Sequence, residues 1–176
     1  MIELGNVGIR AIELGDLETI QSWRNNESLR KFFREYRDFS ISQLTKWYEG
    51  MINNNQFEMF IIFDLSTEER VGVAGLTYID WVNRHSDVHF YIGKNVEWID
   101  EKYAPTAFKL ILDYGFNKLN MNKLWAEIYE IDSKKLNFFK SNGFDIDATL
   151  RDHYYYEGKF YNSHILSLLK KDVISS

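Results

Sequence analysis

The chain has 176 residues, 21 basic against 26 acidic side chains for a net charge of -5, 45% hydrophobic and 16% aromatic content, and no cysteine. The length is that of one domain of about 100–200 residues, and the missing cysteines exclude disulfides, thiolate metal sites and a thiol nucleophile. The acidic balance lacks the basic footprint that phosphate contacts need, so no nucleic-acid partner is expected, while a cationic acceptor such as an amine suits it.

Met1-Ile2-Glu3-Leu4 lacks the basic-then-apolar pattern of a signal peptide. No apolar run approaches the ~20 residues of a membrane helix. The expectation is a cytoplasmic protein with no membrane partner. The one proline is Pro105, and without Pro- or Ser-rich linkers, repeats or low-complexity segments, residues 1–176 read as a single domain.

Periodicity orders the elements. Val7 to Ile12 reads as a short strand. Asp16 reads as the cap of a helix through Asn25, with Leu17, Ile20 and Trp23 on one face. Asn25-Asn26-Glu27 is a break. Ser40 with Gln43 fits a capping box, opening a helix that carries Leu44, Trp47, Tyr48 and Met51 and ends at Asn53. Phe57 to Asp64 is a buried strand, Ser66 to Glu69 a turn, and Val71 to Ile79 and Asp87 to Ile92 further strands. Ala104 to Leu119 is a strong helix, Leu124 to Tyr129 a strand, and Ser133 to Ser141 a helix stopped by Asn142-Gly143. Leu150 to Tyr156 and Tyr161 to Leu169 close the chain as a hairpin. Strands with helices on both sides make an α/β (α+β) fold. The strand-to-helix passage from Asp87 to Leu119 is the natural ligand site, since ligands bind where strands end and helices begin.

Several motifs carry a resemblance. Ile9-Arg10-Ala11-Ile12 with Gly15-Asp16-Leu17, then Trp23-Arg24-Asn25-Asn26, Asn142-Gly143-Phe144, and the tail from Leu150-Arg151-Asp152-His153 through Tyr154, Tyr155 and Tyr156 to Gly158-Lys159-Phe160 are similar to the ribosomal-protein and spermidine N-acetyltransferase branch of the GNAT superfamily. The likeness runs over nearly the whole chain. It implies a GNAT-type mixed, mostly antiparallel central sheet covered by helices on both faces. It also implies acetyl-CoA as co-substrate and direct attack on the thioester by a polyamine, an aminosugar or a protein N-terminus; no metal is expected, since no pair of histidines has metal-ligand spacing.

The same likeness assigns cofactor contacts. The main chain of Phe90 to Gly93, and so Tyr91, Ile92 and Gly93, would pair with the pantetheine arm and hold the thioester carbonyl on a backbone N–H. A loop at a helix start would hold the pyrophosphate on free amides; here it involves Lys102, Tyr103, Ala104 and Thr106, with Ser133 as a further cofactor contact. The family pattern, Gln or Arg, two residues, Gly, one residue, Gly or Ala, meets Ile99-Asp100-Glu101-Lys102-Tyr103-Ala104, where only Ala104 fits and two acids are added. The family's proton-donating Tyr is replaced by Phe139, with Ser133, Tyr129 or a water as substitutes. The acid-bearing loop and Phe139 carry the alternative of a non-catalytic GNAT-like binding or regulatory protein.

Asp87 falls where relatives carry an acceptor-facing Glu; it reads either as the group that binds the ammonium or relays its proton, or as a strand-edge carboxylate in solvent. His89 has the intrinsic pKa of a base, and reads as that or as a structural hydrogen-bonding group. If Val88, Phe90 and Ile92 face one way, His89 and Tyr91 face the other. Neither these nor His85, His153 and His164 have metal-ligand spacing. The segment Phe32 to Asp38 lacks helical periodicity and is the better pocket wall, with Phe33, Glu35 and Tyr36, joined by Tyr129, as substrate-binding candidates; Trp23 and Trp47 read as helix packing. Tyr155 should face opposite to Tyr154 and Tyr156, leaving one face open to substrate or to a neighbouring subunit, so a homodimer is possible.

Overall fold

The computed structural model describes residues 1–174. An N-terminal hairpin, β1 (Ile2–Leu4) and β2 (Val7–Ala11), leads into α1 (Leu17–Arg24), α2 (Glu27–Arg30) and α3 (Ile41–Ile52). Three strands follow, β3 (Glu58–Asp64), β4 (Glu69–Asp80) and β5 (His85–Ile92), then α4 (Ala104–Asp113), which widens into a π-helical turn over Tyr114–Lys118. The chain ends with β6 (Lys123–Tyr129), α5 (Ser133–Ser141), β7 (Asp145–Tyr156), β8 (Lys159–Leu169) and α6 (Lys170–Ile174). No helix among the described residues is long and apolar enough to cross a membrane.

The strands form one eight-stranded sheet in the order β1-β2-β3-β4-β5-β6-β8-β7. Every neighbouring pair is antiparallel except β5 and β6. That parallel pair spans only His85–Asp87 against Lys123–Trp125. Beyond it the two strands part, and the wedge between them is the structural centre of the molecule.

Alternation along β5 sorts the two layers. Phe90 packs edge-on against Phe108 of α4 and stacks on Phe138 of α5. Tyr91 meets Trp23 of α1 and Phe33 just after α2. Helices α4 and α5 thus cover one face and the N-terminal helices the other, as a sheet with two apolar faces requires.

The Ser40–Gln43 capping box forms in both directions. Asp16 differs from expectation. It stands at the start of α1 but makes no side-chain cap. Its fully buried carboxylate takes Arg10 at 2.8 and 3.0 Å and Arg70 at 2.6 Å, tying β2 to β4. Burial alone would raise its pKa, but the two guanidinium groups outweigh that and lower it. The Asn25-Asn26-Glu27 break proves to be a junction in which Asn26 caps α2. Trp23 packs so tightly on Gly93 that a Cβ there would lie 2.1 Å from the indole.

Candidate active site

A cavity of about 260 Å³ opens beside the wedge. Its walls come from β5, β6, the segment after α2 and the start of α5. Asp87 and His89 lie two residues apart on β5 and both line it, with Phe33, Glu35, Tyr91 and Tyr129. Tyr36 does not: its side chain is 76% exposed and stands outside the cavity. Trp47 lines the cavity as well as packing on the core.

Asp87 is buried, takes the Thr77 hydroxyl at 3.3 Å and pairs with Arg34 at 3.1 Å. Burial pushes its carboxyl up, with Arg34 and Lys135 pulling against that. It is therefore not the solvated strand-edge carboxylate that is one reading of its position. His89 packs edge-on against Tyr91, and desolvation drives its pKa well below the usual value; Lys135, Arg24 and Arg34 add to the shift. The imidazole is neutral near pH 7. Tyr129 stacks on Tyr154 with ring centroids 3.8 Å apart, and burial raises its hydroxyl to about 12.

The main chain of β5 departs from expectation. Ile92 exchanges both of its hydrogen bonds with Trp98, donating at 2.8 Å and accepting at 2.9 Å, and Gly93 N–H goes to the carbonyl of Val71. Residues alternate in direction along an antiparallel ladder. Ile92 faces away from β4, so Tyr91 faces β4 and Phe90 faces the wedge. The amides of Tyr91 to Gly93, expected to meet the thioester arm, are thus engaged within the protein, and Phe90 is the residue whose amide and carbonyl look into the gap.

Trp98 closes that end of the cleft. Its indole stacks on Tyr91 and Phe32 and donates at 2.7 Å to Asp132. Asp132 caps α5, and Ser133, a candidate proton donor and cofactor contact, is exposed and does not line the cavity. At the start of α4, Asp100 accepts from the amides of Tyr103 and Ala104. The Lys102 ammonium and the Tyr103 hydroxyl both turn to Asp64, at 3.2 and 2.8 Å, rather than towards the helix start. Thr106 lies half-buried one turn on. The donor set for a coenzyme therefore fits at the acyl end, where the cavity and the Phe90 amide lie. At the start of α4, where the resemblance puts the pyrophosphate, the amides of Tyr103 and Ala104 are occupied by Asp100.

Phe139 is fully buried against Phe108 and Phe144 and does not reach the cavity. One helical turn earlier, Lys135 does. Arg24, Glu127, Asp132 and Lys135 are cavity residues that sequence reasoning did not assign to the site; Arg34, which with Arg37 reads in the sequence either as a holder of an acidic substrate group or as an exposed surface arginine, lines the cavity and pairs with Asp87. Arg24 sits in a motif already singled out, and Arg34 beside Phe33; Lys135 and Glu127 carry no sequence signal, because their positions depend on contacts distant in the chain.

The chain matches the acetyltransferase (GNAT) domain family over residues 6–145. It is 26% identical over 168 residues to an uncharacterized N-acetyltransferase, p20, of Bacillus licheniformis, covering 93% of each chain. It is 25% identical over 158 residues to the spermidine N(1)-acetyltransferase of Escherichia coli K12, covering 90% of this chain and 83% of that one. Among solved structures, the spermidine N-acetyltransferase from Vibrio cholerae in complex with CoA and spermine superposes with a TM-score of 0.88 at 22% identity, over 96% of this chain and 98% of that one. By fold, motifs and family match, the chain belongs to the GNAT acetyltransferase family and is an N-acetyltransferase that uses acetyl-CoA.

Proposed function

We propose that the chain acts as one domain that moves the acetyl group of acetyl-CoA to the primary amine of a small molecule, with Asp87 and His89 serving the acceptor. The observation that carries this is the parting of β5 and β6 after Asp87 and Trp125, which opens a wedge onto a cavity holding both side chains. The relatives that act on spermidine favour an aliphatic primary amine as acceptor. An aminosugar or a protein N-terminus presents the same nitrogen.

Acetyl-CoA supplies an activated thioester carbonyl. The neutral imidazole of His89 takes the proton that the acceptor nitrogen loses on attack, the C–S bond of the thioester breaks as the C–N bond is made, and coenzyme A leaves as the thiolate, which takes its proton from water. Asp87, fixed by Thr77 and Arg34, offers the carboxylate beside which the incoming nitrogen is held. The Phe90 N–H, facing the wedge, is the donor placed to polarise the carbonyl. We place the protein in the cytoplasm, and the exposed Tyr155 and Phe160, 5.1 Å apart on the terminal hairpin, are the face a second copy would meet.

The test is release of free coenzyme A thiol on mixing the protein, acetyl-CoA and an amine. His89→Gln and Asp87→Asn should each lower kcat/KM by about 10²–10⁴-fold while leaving coenzyme A affinity unchanged. Unaltered turnover in both variants would remove these two residues from the mechanism.

A further inference from the structure

The charges in the cavity are unevenly satisfied. Each carboxylate has a partner: Asp87 holds Arg34 and Thr77, Glu127 takes Arg34 at 3.7 Å and the Ser163 hydroxyl at 2.6 Å, Glu35 holds Arg37, and Asp132 holds Trp98. Two of the cations make no direct ion pair, although Lys135 feels Asp132 and Asp87 and Arg24 feels Glu35 through space. Arg24 lies over the rings of Phe33 and Phe39, at 4.1 and 5.1 Å, and its buried Nε has no hydrogen-bond partner. Lys135 reaches over Trp98, its ammonium 4.7 Å from the ring. Among the described residues, neither side chain forms an ion pair. The Tyr91 hydroxyl is a third orphan, buried without a partner and close enough to Arg24 that each shifts the other. Burial depresses the pKa of both Arg24 and Lys135.

A half-buried cation without a counterion is destabilising unless something else supplies the anion. Two orphaned buried donors, Arg24 Nε and the Tyr91 hydroxyl, with the Lys135 ammonium on the same cavity, form a preorganised anion site. A polyamine carries only positive charge; beyond the nitrogen held at Asp87, its further ammonium groups would meet Arg24 and Lys135. The cavity, below the roughly 300–1,000 Å³ of drug-sized pockets, suits a small acceptor.

We infer that the acceptor is a small primary amine that also bears an anionic group, a carboxylate or a phosphate, held by the Arg24 guanidinium, the Tyr91 hydroxyl and the Lys135 ammonium. This rests on the acetyl-transfer reading and narrows its acceptor. The amine end then lies towards His89 and Asp87 on β5, with the anionic end towards α1 and the start of α5.

The full chain is offered spermidine, glucosamine, glucosamine 6-phosphate and the standard amino acids, with thermal melting as the binding readout and thiol release as the activity readout. Anionic amines should raise Tm and be acetylated, and spermidine should do neither. The amino acid and sugar phosphate arms separate a carboxylate from a phosphate. Arg24→Met and Lys135→Met, which keep apolar volume on two different helices, should each raise KM for the anionic acceptor about tenfold or more. Without ligand their Tm should be no lower than that of the parent, an outcome a merely structural role would not give. Acetylation of spermidine in preference to every anionic amine overturns the anion site and leaves the transferase intact. Anionic amines that bind through Arg24 but are never acetylated overturn the transferase reading and leave the anion site. No binding and no transfer with any of these amines overturns both.

Discussion

Asp100 Oδ1 lies 2.8 Å from the backbone nitrogen of Ala104, and the same oxygen accepts the N–H of Tyr103 at 2.9 Å. A carboxylate of the chain thus sits on the helix-start amides that the family resemblance assigns to a pyrophosphate, and it satisfies them as an anion would. The chain keeps the electrostatics of a phosphate cradle and fills it from within. Replacing Asp100 by Gly frees both amides and removes a like charge from the ligand's approach. Acetyl-CoA should then bind about tenfold tighter or more, measured by calorimetric titration of both proteins. Equal affinities would show that the pyrophosphate is held elsewhere.

Trp98 links the loop after β5 to the cap of α5 through one buried hydrogen bond to Asp132. Trp98→Phe keeps the stacking on Tyr91 and Phe32 but leaves a buried carboxylate one donor short. A loss of about 1–3 kcal/mol is expected, read from urea unfolding. The burial-raised pKa of Asp132 should climb further, which carboxylate titration by NMR can follow.

His89 gives the fold a pH dependence of definite sign. Its folded pKa is depressed by desolvation first and by the neighbouring cations second. Between its unfolded value of about 6.5 and the lower folded value, the unfolded chain binds the proton and the native one does not. Stability from this group is therefore complete above pH ~6.5 and is lost as pH falls through that value. Tm measured from pH ~8 to ~5 should fall less steeply in His89→Gln than in the parent. Parallel curves would contradict the neutral, desolvated imidazole.

Asp16 is the counterpart of these site residues in the scaffold. Asp16→Ala leaves Arg10 and Arg70 without their shared carboxylate. Both arginines reach solvent, so the loss should be below the 3–5 kcal/mol of a fully buried broken pair, at about 2–3 kcal/mol. Urea unfolding measures it, and a change below about 0.5 kcal/mol would remove Asp16 as the tie between β2 and β4.

The parts legible in the sequence are those whose cause is local. Ser40 and Gln43 announce a capping box three residues apart, and the box is there. The alternation of β5 puts His89 and Tyr91 on one face, and they meet. That of the terminal hairpin puts Tyr155 opposite Tyr154 and Tyr156, and their stacking separates them in that way. Asp16 misled because its position fits a helix cap, while its chemistry is set by Arg70, far along the chain. The charge balance of the cavity was equally hidden: Arg24, Arg34, Glu127 and Lys135 converge only when α1, β6 and α5 assemble around β5. The Ile92–Trp98 pairing was out of reach for a different reason. Asn95, Val96 and Trp98 all adopt positive φ, at 55°, 60° and 63°, conformations that non-glycine residues rarely take and that no propensity would assign to them.

On the reading above, the chain receives acetyl-CoA although Asp100 occupies the amides of Tyr103 and Ala104. Isothermal titration of the full chain with acetyl-CoA tests it most directly. Saturable binding in the micromolar range is expected, strengthened in Asp100→Gly. No heat of binding at millimolar acetyl-CoA, in the parent and the Asp100→Gly protein alike, would contradict it.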